Sequence, residues 1–147
     1  MFHMTTYALD VMTPDPACCM PHTTLDEVAK LMLRHDCGEI PVIDSAERPI
    51  GVVTDRDIVC RIVAEGKNPM AYPAETCMSE PVLTVGSDAP IEEVVARMQE
   101  HQVRRLVVVD ERERCVGIIS QADIAATVRA KEVGTLVREL SRHPVTT

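Results

Sequence analysis

Two stretches of this chain each place a hydroxyl and a carboxylate three residues apart. Thr54-Asp55-Arg56-Asp57 and Ser120-Gln121-Ala122-Asp123 follow the apolar runs Gly51-Val52-Val53 and Gly117-Ile118-Ile119. The hydroxyl therefore stands at the end of a strand, and the Asp in the first turn of a helix. A hydroxyl donates and accepts, whereas a carboxylate only accepts. A carboxylate so placed can take both hydroxyls of a ribose, as acidic residues do in dinucleotide folds. The helix N-terminus beside it offers free N–H groups and partial positive charge. The same spacing also serves plain capping, with Thr54 or Ser120 as N-cap and Asp57 or Asp123 as the acid of the first turn. The two roles can coexist, because the carboxylate has acceptor sites to spare.

Other chemistries find little support. No nucleophile elbow, P-loop, H-E-x-x-H or G-x-G-x-x-G occurs, and nothing sets a base beside a nucleophile. Catalysis is not expected. The six cysteines, Cys18, Cys19, Cys37, Cys60, Cys77 and Cys115, contain no C-x-x-C. They read mainly as small core residues. Cys18-Cys19, with His22 nearby, leaves a soft-metal or redox role open, although adjacent cysteines are not the spacing of structural zinc sites. No metal centre is expected.

A net charge of -8 argues against nucleic acid and anionic membrane surfaces. Aromatic residues make up 2% of the chain, too few for stacking on bases. No apolar stretch approaches the roughly 20 residues of a membrane span. The N-terminus lacks the basic and apolar regions of a signal peptide, so a cytoplasmic location is expected.

The elements that position the two pairs are themselves repeated. A shift of 66 residues brings Val28 onto Val94, Met32 onto Met98, His35 onto His101, Asp44 onto Asp110, Gly51 onto Gly117 and Asp57 onto Asp123. Met12-Thr13 matches Met78-Ser79. Two tandem copies of one small fold imply a pseudo-twofold axis with a cleft between them. Each copy has about 60 residues, where burial is marginal, so a shared core is expected. The spacing predicts helices over Thr24–Arg34, Asp55–Ala64, Pro90–Glu100 and Gln121–Ala130. It predicts strands over Ile40–Ile43, Ile50–Thr54, Val82–Val85, Leu106–Val109 and Cys115–Ile119. Val133, Leu136, Val137 and Leu140 suggest a separate packing helix in the tail. His35 and His101, late in the first helix of each copy, suit the negative end of the helix dipole.

Gly51-Val52-Val53-Thr54-Asp55-Arg56-Asp57-Ile58 and Gly117-Ile118-Ile119-Ser120-Gln121-Ala122-Asp123-Ile124 resemble the G-h-h-[T/S]-x-x-D-h signature of CBS domains, the family named after cystathionine β-synthase. Glu39-Ile40-Pro41-Val42-Ile43-Asp44 and Arg105-Leu106-Val107-Val108-Val109-Asp110 are similar to that family's second strand. The resemblance covers about residues 8 to 130 and implies an α+β fold of two β-α-β-β-α repeats packed with pseudo-twofold symmetry. The expected division is repeat 1 over 7–66, a linker over 67–72, repeat 2 over 73–130 and a tail over 131–147.

The family binds AMP, ADP, ATP or S-adenosylmethionine between its repeats. The resemblance therefore implies that Asp57 and Asp123 take the ribose, with Thr54 and Ser120 near ribose or phosphate. Ile40, Pro41, Leu106 and Val107 would flank the adenine, and Cys19, Met20, Thr84 and Val85 would close the pockets. Arg104 and Arg105 match a basic pair that contacts phosphate in a kinase-regulating member of the family, and Arg56 is a further phosphate candidate. The positions matching Arg104 and Arg105 in the first copy are Gly38 and Glu39, and a Glu there repels phosphate. The pseudo-twofold can nevertheless bring the arginines to either cleft. No cofactor is required in this reading. It implies a homodimer that signals to a separate effector protein through ligand-dependent rearrangement, since no effector unit is evident in the chain. A ligand-free interaction module is the alternative.

Overall fold

The computed structural model describes residues 5–142. Its elements run α1 (Ala8–Val11), β1 (Thr13–Pro14), α2 (Leu25–His35), β2 (Glu39–Ile43), β3 (Pro49–Thr54) and α3 (Asp55–Ile58) in the first half. They continue β4 (Thr84–Gly86), α4 (Ile91–His101), β5 (Arg105–Val109), β6 (Cys115–Ser120) and α5 (Gln121–Arg142). The fold is mixed α and β with two tandem repeats. β2 and β3 form one antiparallel hairpin, and β5 and β6 form the other.

Each hairpin is held by one Asp. Asp44 Oδ1 accepts from the backbone N–H groups of Ala46 and Arg48, both at 2.9 Å. Asp110 Oδ1 does the same for Arg112 and Arg114, again at 2.9 Å. The left-handed backbone also repeats, at Asp36 and Gln102 after the first helices and at Glu47 and Glu113 in the hairpin turns. None of these is Gly, so the turns carry the small cost of αL in an ordinary residue.

The expected single core is instead two. One gathers Leu25, Val28, Ile40, Val42, Val53 and Ile62, and the other Val94, Met98, Leu106, Val108, Ile119 and Ile124. The repeats share by exchanging lead-in segments. Ala8 is buried in the second core, while Ala74 and Cys77 are buried in the first. β1 adds to the edge of β6, pairing Thr13 with Ile118. Ser79 bridges Val52 in the equivalent way. The chain passes close over a glycine at both crossings. A Cβ on Gly51 would stand 2.8 Å from Met78 Cγ, and one on Gly117 would stand 2.9 Å from Met12 Cγ.

Three element boundaries depart from the sequence reading. The first strand of repeat 2 is Thr84–Gly86, running parallel to β5, but its counterpart in repeat 1 is a single bridge from Cys19 to Val42. The cause is Pro21. Its counterpart Ser87 donates N–H to Val109 O at 2.8 Å, and proline has no N–H to give. After Ile58 the helix widens into π-type turns over Val59–Val63. The tail is not a separate helix, because α5 runs unbroken through Gly134 to Arg142. Val133, Val137 and Leu140 on it are more than half exposed. The side chain of Leu136 and residues 143–147 lie outside the described residues. Among those described, no helix is long and apolar enough to cross a membrane.

Candidate functional site

Strand alternation sorts the candidate residues before any ligand is considered. On β2, Ile40 and Val42 face the first core, which turns Glu39 and Pro41 to the other side. On β5, Leu106 and Val108 face the second core, which turns Arg105 and Val107 away from it. Glu39 and Arg105 meet across the junction of the repeats at 4.0 Å. They occupy equivalent positions, so their ion pair straddles the pseudo-twofold axis.

Beside this pair lies a cleft of about 560 Å³. Repeat 2 contributes Arg105, Ile118, Ser120 and Asp123 to it. The end of α2 and the turn into β2 supply His35, Asp36, Cys37, Gly38 and Glu39, and the lead-in segment supplies Thr13 to Ala17. Burial pushes the Glu39 carboxyl above its ordinary value, the Arg105 guanidinium pulls it back, and Asp57 pushes it further up.

Both signature pairs form capping boxes. Thr54 N–H donates to Asp57 Oδ2 and Asp57 N–H to Thr54 Oγ1, each at 3.0 Å. Ser120 N–H donates to Asp123 Oδ2 at 3.1 Å and Asp123 N–H to Ser120 Oγ at 3.0 Å. Capping occupies Oδ2 in both copies and differs in what it leaves. Asp57 Oδ1 stands 3.8 Å from Arg61 Nε. Arg61 also donates to Cys77 O at 3.0 Å, tying it to the second lead-in segment. The position matching Arg61 in repeat 2 is Thr127, which brings no cation to Asp123.

Of the residues singled out from sequence, the cleft brings together Arg105, Ser120 and Asp123. Thr54, Asp57, Arg56 and Arg104 do not line it, and both of those arginines are exposed. Ile40, Leu106, Cys19 and Val85 are committed to the two cores, so only their backbone can be offered to a ligand. Pro41 and Val107 are fully buried on the strand faces opposite those cores. Thr84 pairs with Val107. Met20, with Cys18 and Cys19, lines a separate small cavity. Sequence reasoning missed the cleft wall formed by Thr13–Ala17 and His35–Gly38. The available signal was the repeat itself, which put Gly38 and Glu39 opposite Arg104 and Arg105.

Among the described residues, no group of three or more His, Cys, Asp or Glu side chains converges as metal ligands would.

Comparison with known proteins agrees with this architecture. The CBS domain family matches residues 8–64 and again residues 74–130. Protein MK0525 of Methanopyrus kandleri is 35% identical over 133 residues, covering 90% of this chain and 65% of that protein. Hypoxic response protein 1 of Mycobacterium tuberculosis is 40% identical over 120 residues, covering 82% of this chain and 83% of its own. Its crystal structure, with two coordinated zinc ions, superposes with a TM-score of 0.74 at 38% identity over 82% of this chain and 98% of that one. The CBS domain pair of protein MJ0100, solved with 5′-methylthioadenosine and S-adenosyl-L-methionine, gives 0.75 at 26% identity over 87% of this chain and 99% of that pair. Two matched repeats, each carrying the strand–hydroxyl–helix–carboxylate arrangement, make this chain a member of the CBS domain family.

Proposed function

We propose that the protein is a regulatory module that binds an adenosyl ligand in the cleft between its repeats. The observation that carries this reading is the convergence of Ser120, Asp123, Arg105 and Glu39 on one cavity built by both repeats. Asp123 Oδ1 would accept from the ribose hydroxyls while Oδ2 continues to cap α5. The backbone of the buried strands would flank the base. Arg105 is the phosphate or carboxylate contact, drawn off Glu39 when an anionic group arrives. That the CBS pair of MJ0100 was crystallised with S-adenosyl-L-methionine supports the ligand class.

Regulation follows from the shared axis. A ligand that breaks the Glu39–Arg105 pair changes how the repeats press together. The change can be no larger than the ligand's differential affinity for the two arrangements. The exposed apolar residues Leu33, Val59 and Val63 on one repeat, and Val133, Val137 and Leu140 on α5, support a homodimer. The signal passes to a separate effector protein, in the cytoplasm, and the module itself catalyses nothing.

A ligand-free interaction module is the second reading. It is favoured by the first copy, where Arg61 stands 3.8 Å from the free oxygen of Asp57. Calorimetry on nucleotide-stripped protein with AMP, ATP, S-adenosylmethionine and NADH separates the two. Micromolar binding that disappears in Asp57→Ala, Asp123→Ala protein supports the sensor. No heat from any of the four, with the protein folded, leaves the interaction module.

A further inference from the structure

Cys18 and Cys115 come from opposite repeats, 97 positions apart in the chain, yet their Sγ atoms stand 3.9 Å apart. The contact follows from β1 crossing to β6, where Asp15 N–H donates to Val116 O at 3.2 Å and the chain then runs alongside Cys115. Cys18 follows the cleft-lining Pro16 and Ala17, and Cys115 opens the strand that ends at the cleft-lining Ser120. Around them the repeats are already docked, with Cys115 N–H donating to Glu47 O in the turn of the first hairpin at 2.9 Å.

We infer that Cys18 and Cys115 form a two-electron thiol oxidation site, whose co-substrate is a hydroperoxide and whose product is a disulfide stapling one repeat to the other. The sulfurs have to close from 3.9 Å to about 2.05 Å, from side chains already in contact. Access comes from the opposite side. Cys18 lines a cavity of about 270 Å³ with Met20, Glu27 and Leu31, large enough for a small peroxide and separate from the ligand cleft.

The pair is chemically asymmetric. The Cys115 side chain holds the Cys18 thiol below its ordinary value, against burial and the Glu47 charge, which push it up. The interaction with Cys18 and burial push Cys115 far up. Cys18, the one of the two that lines the cavity, is the nucleophile, and Cys115 is the resolving thiol. The Cys18 thiolate attacks one peroxide oxygen. An S–O bond forms, the O–O bond breaks, and the leaving oxygen departs as water or alcohol after protonation. Cys115 sulfur then attacks Cys18 sulfur. The S–S bond forms, the S–O bond breaks, and hydroxide leaves as water with the Cys115 proton. Two thiols are oxidised and one peroxide is reduced.

The staple fixes Ala17 to β6, both of which line the ligand cleft. Oxidation is thereby a second input to the same repeat junction. It requires only the thiol geometry, so it stands whether or not the cleft binds an adenosyl group.

The test uses folded protein with Cys60→Ser, which removes the exposed cysteine able to cross-link two chains. After treatment with one equivalent of hydrogen peroxide, thiol titration and intact mass should show loss of two thiols and two hydrogens in a monomer. Non-reducing peptide mapping should join the peptides of Cys18 and Cys115. Cys115→Ser in the same background, with its fold checked by circular dichroism, should give Cys18 sulfenic acid, trapped by dimedone, and no cross-link. Retention of all thiols, a Cys18–Cys19 bond, or equal cross-linking after prior denaturation in urea would overturn the inference.

Discussion

The two copies present the same hydroxyl and carboxylate in the same capping box, yet they are not the same site. In repeat 1 the outer oxygen of Asp57 faces Arg61, which is itself anchored to the carbonyl of Cys77. In repeat 2 the equivalent position is Thr127, and Asp123 opens into the cleft beside Arg105. One change of residue type, a turn away from the signature, thus separates a carboxylate engaged by its own protein from one available to a ligand. A repeated motif specifies local structure, whereas its neighbours decide whether that structure is used.

The sharpest way to break this comparison is to remove each carboxylate alone. Both variants lose the same half of a capping box, the acceptor of the N-cap N–H, so that loss cancels between them. Asp123→Ala should also lose the ribose contacts. At about 2 kcal/mol for hydrogen bonds to a charged group, that is roughly a 30-fold weakening of adenosyl ligand binding. Asp57→Ala should weaken it by less than about threefold. Calorimetric titration of both variants measures the difference. Equal losses would mean that Arg61 does not occupy Asp57 in solution.

The second comparison concerns the exchanged lead-in segments. The three atoms nearest a methyl at Gly51 all belong to the Met78 side chain, its Cβ at 3.1 Å, whereas one at Gly117 meets Met12 and also the backbone Thr13 O at 3.0 Å. A methionine can swing aside, but a backbone carbonyl already in a β bridge cannot. Gly117→Ala should therefore cost about 1–3 kcal/mol through overpacking, and Gly51→Ala clearly less. Thermal unfolding of the two variants ranks them. The reverse order would show that the two crossings are not packed as described.

Much of this architecture was legible in the sequence for an identifiable reason. The hairpins, the first helices and the capping boxes are set by neighbours a few residues apart, and the repeat showed each pattern twice. What escaped were features fixed by distant partners. Nothing local to Ala8 or Ala74 says that each fills the other repeat's core. β2 and β5 are apolar on both faces, so periodicity could not tell which side faces the helices. Ile40 and Leu106 were therefore placed at the ligand although they lie in the cores. The wall from Thr13 to Ala17 is irregular chain with two prolines, and it becomes part of a site only because β1 crosses to β6.

The axis pair gives a subtler contrast, because it joins two equivalent positions of opposite charge. Arg105→Ala and Glu39→Gln should move ligand preference in opposite directions. The first removes the positive partner of an anionic group, and the second frees Arg105 to meet it. AMP affinity divided by adenosine affinity should fall in Arg105→Ala and rise in Glu39→Gln. Each change should be about three- to tenfold and should shrink with added salt, because Arg105 is more than half exposed. Parallel shifts in both variants would mean that Arg105 does not meet the ligand's anionic group.

The smallest expected effect has a definite sign. Burial holds the Glu39 carboxyl above its ordinary range in the folded chain. A carboxyl raised by folding contributes stability that is fully present below its unfolded value and is lost as pH rises through the folded one. Wild-type protein should lose that contribution as pH rises above the ordinary glutamate range, whereas Glu39→Gln, which does not titrate, should not. Asp44 and Asp110 move oppositely. Backbone N–H donors hold both low, so their stabilisation disappears on acidification. They are unchanged in the variant and cancel when melting temperatures are subtracted. The variant-minus-wild-type difference should therefore grow more positive from acid to neutral pH, by a few degrees at most. A difference that does not vary with pH would mean that Arg105 fully offsets the burial of Glu39, leaving the pair at the axis without electrostatic tension for a ligand to release.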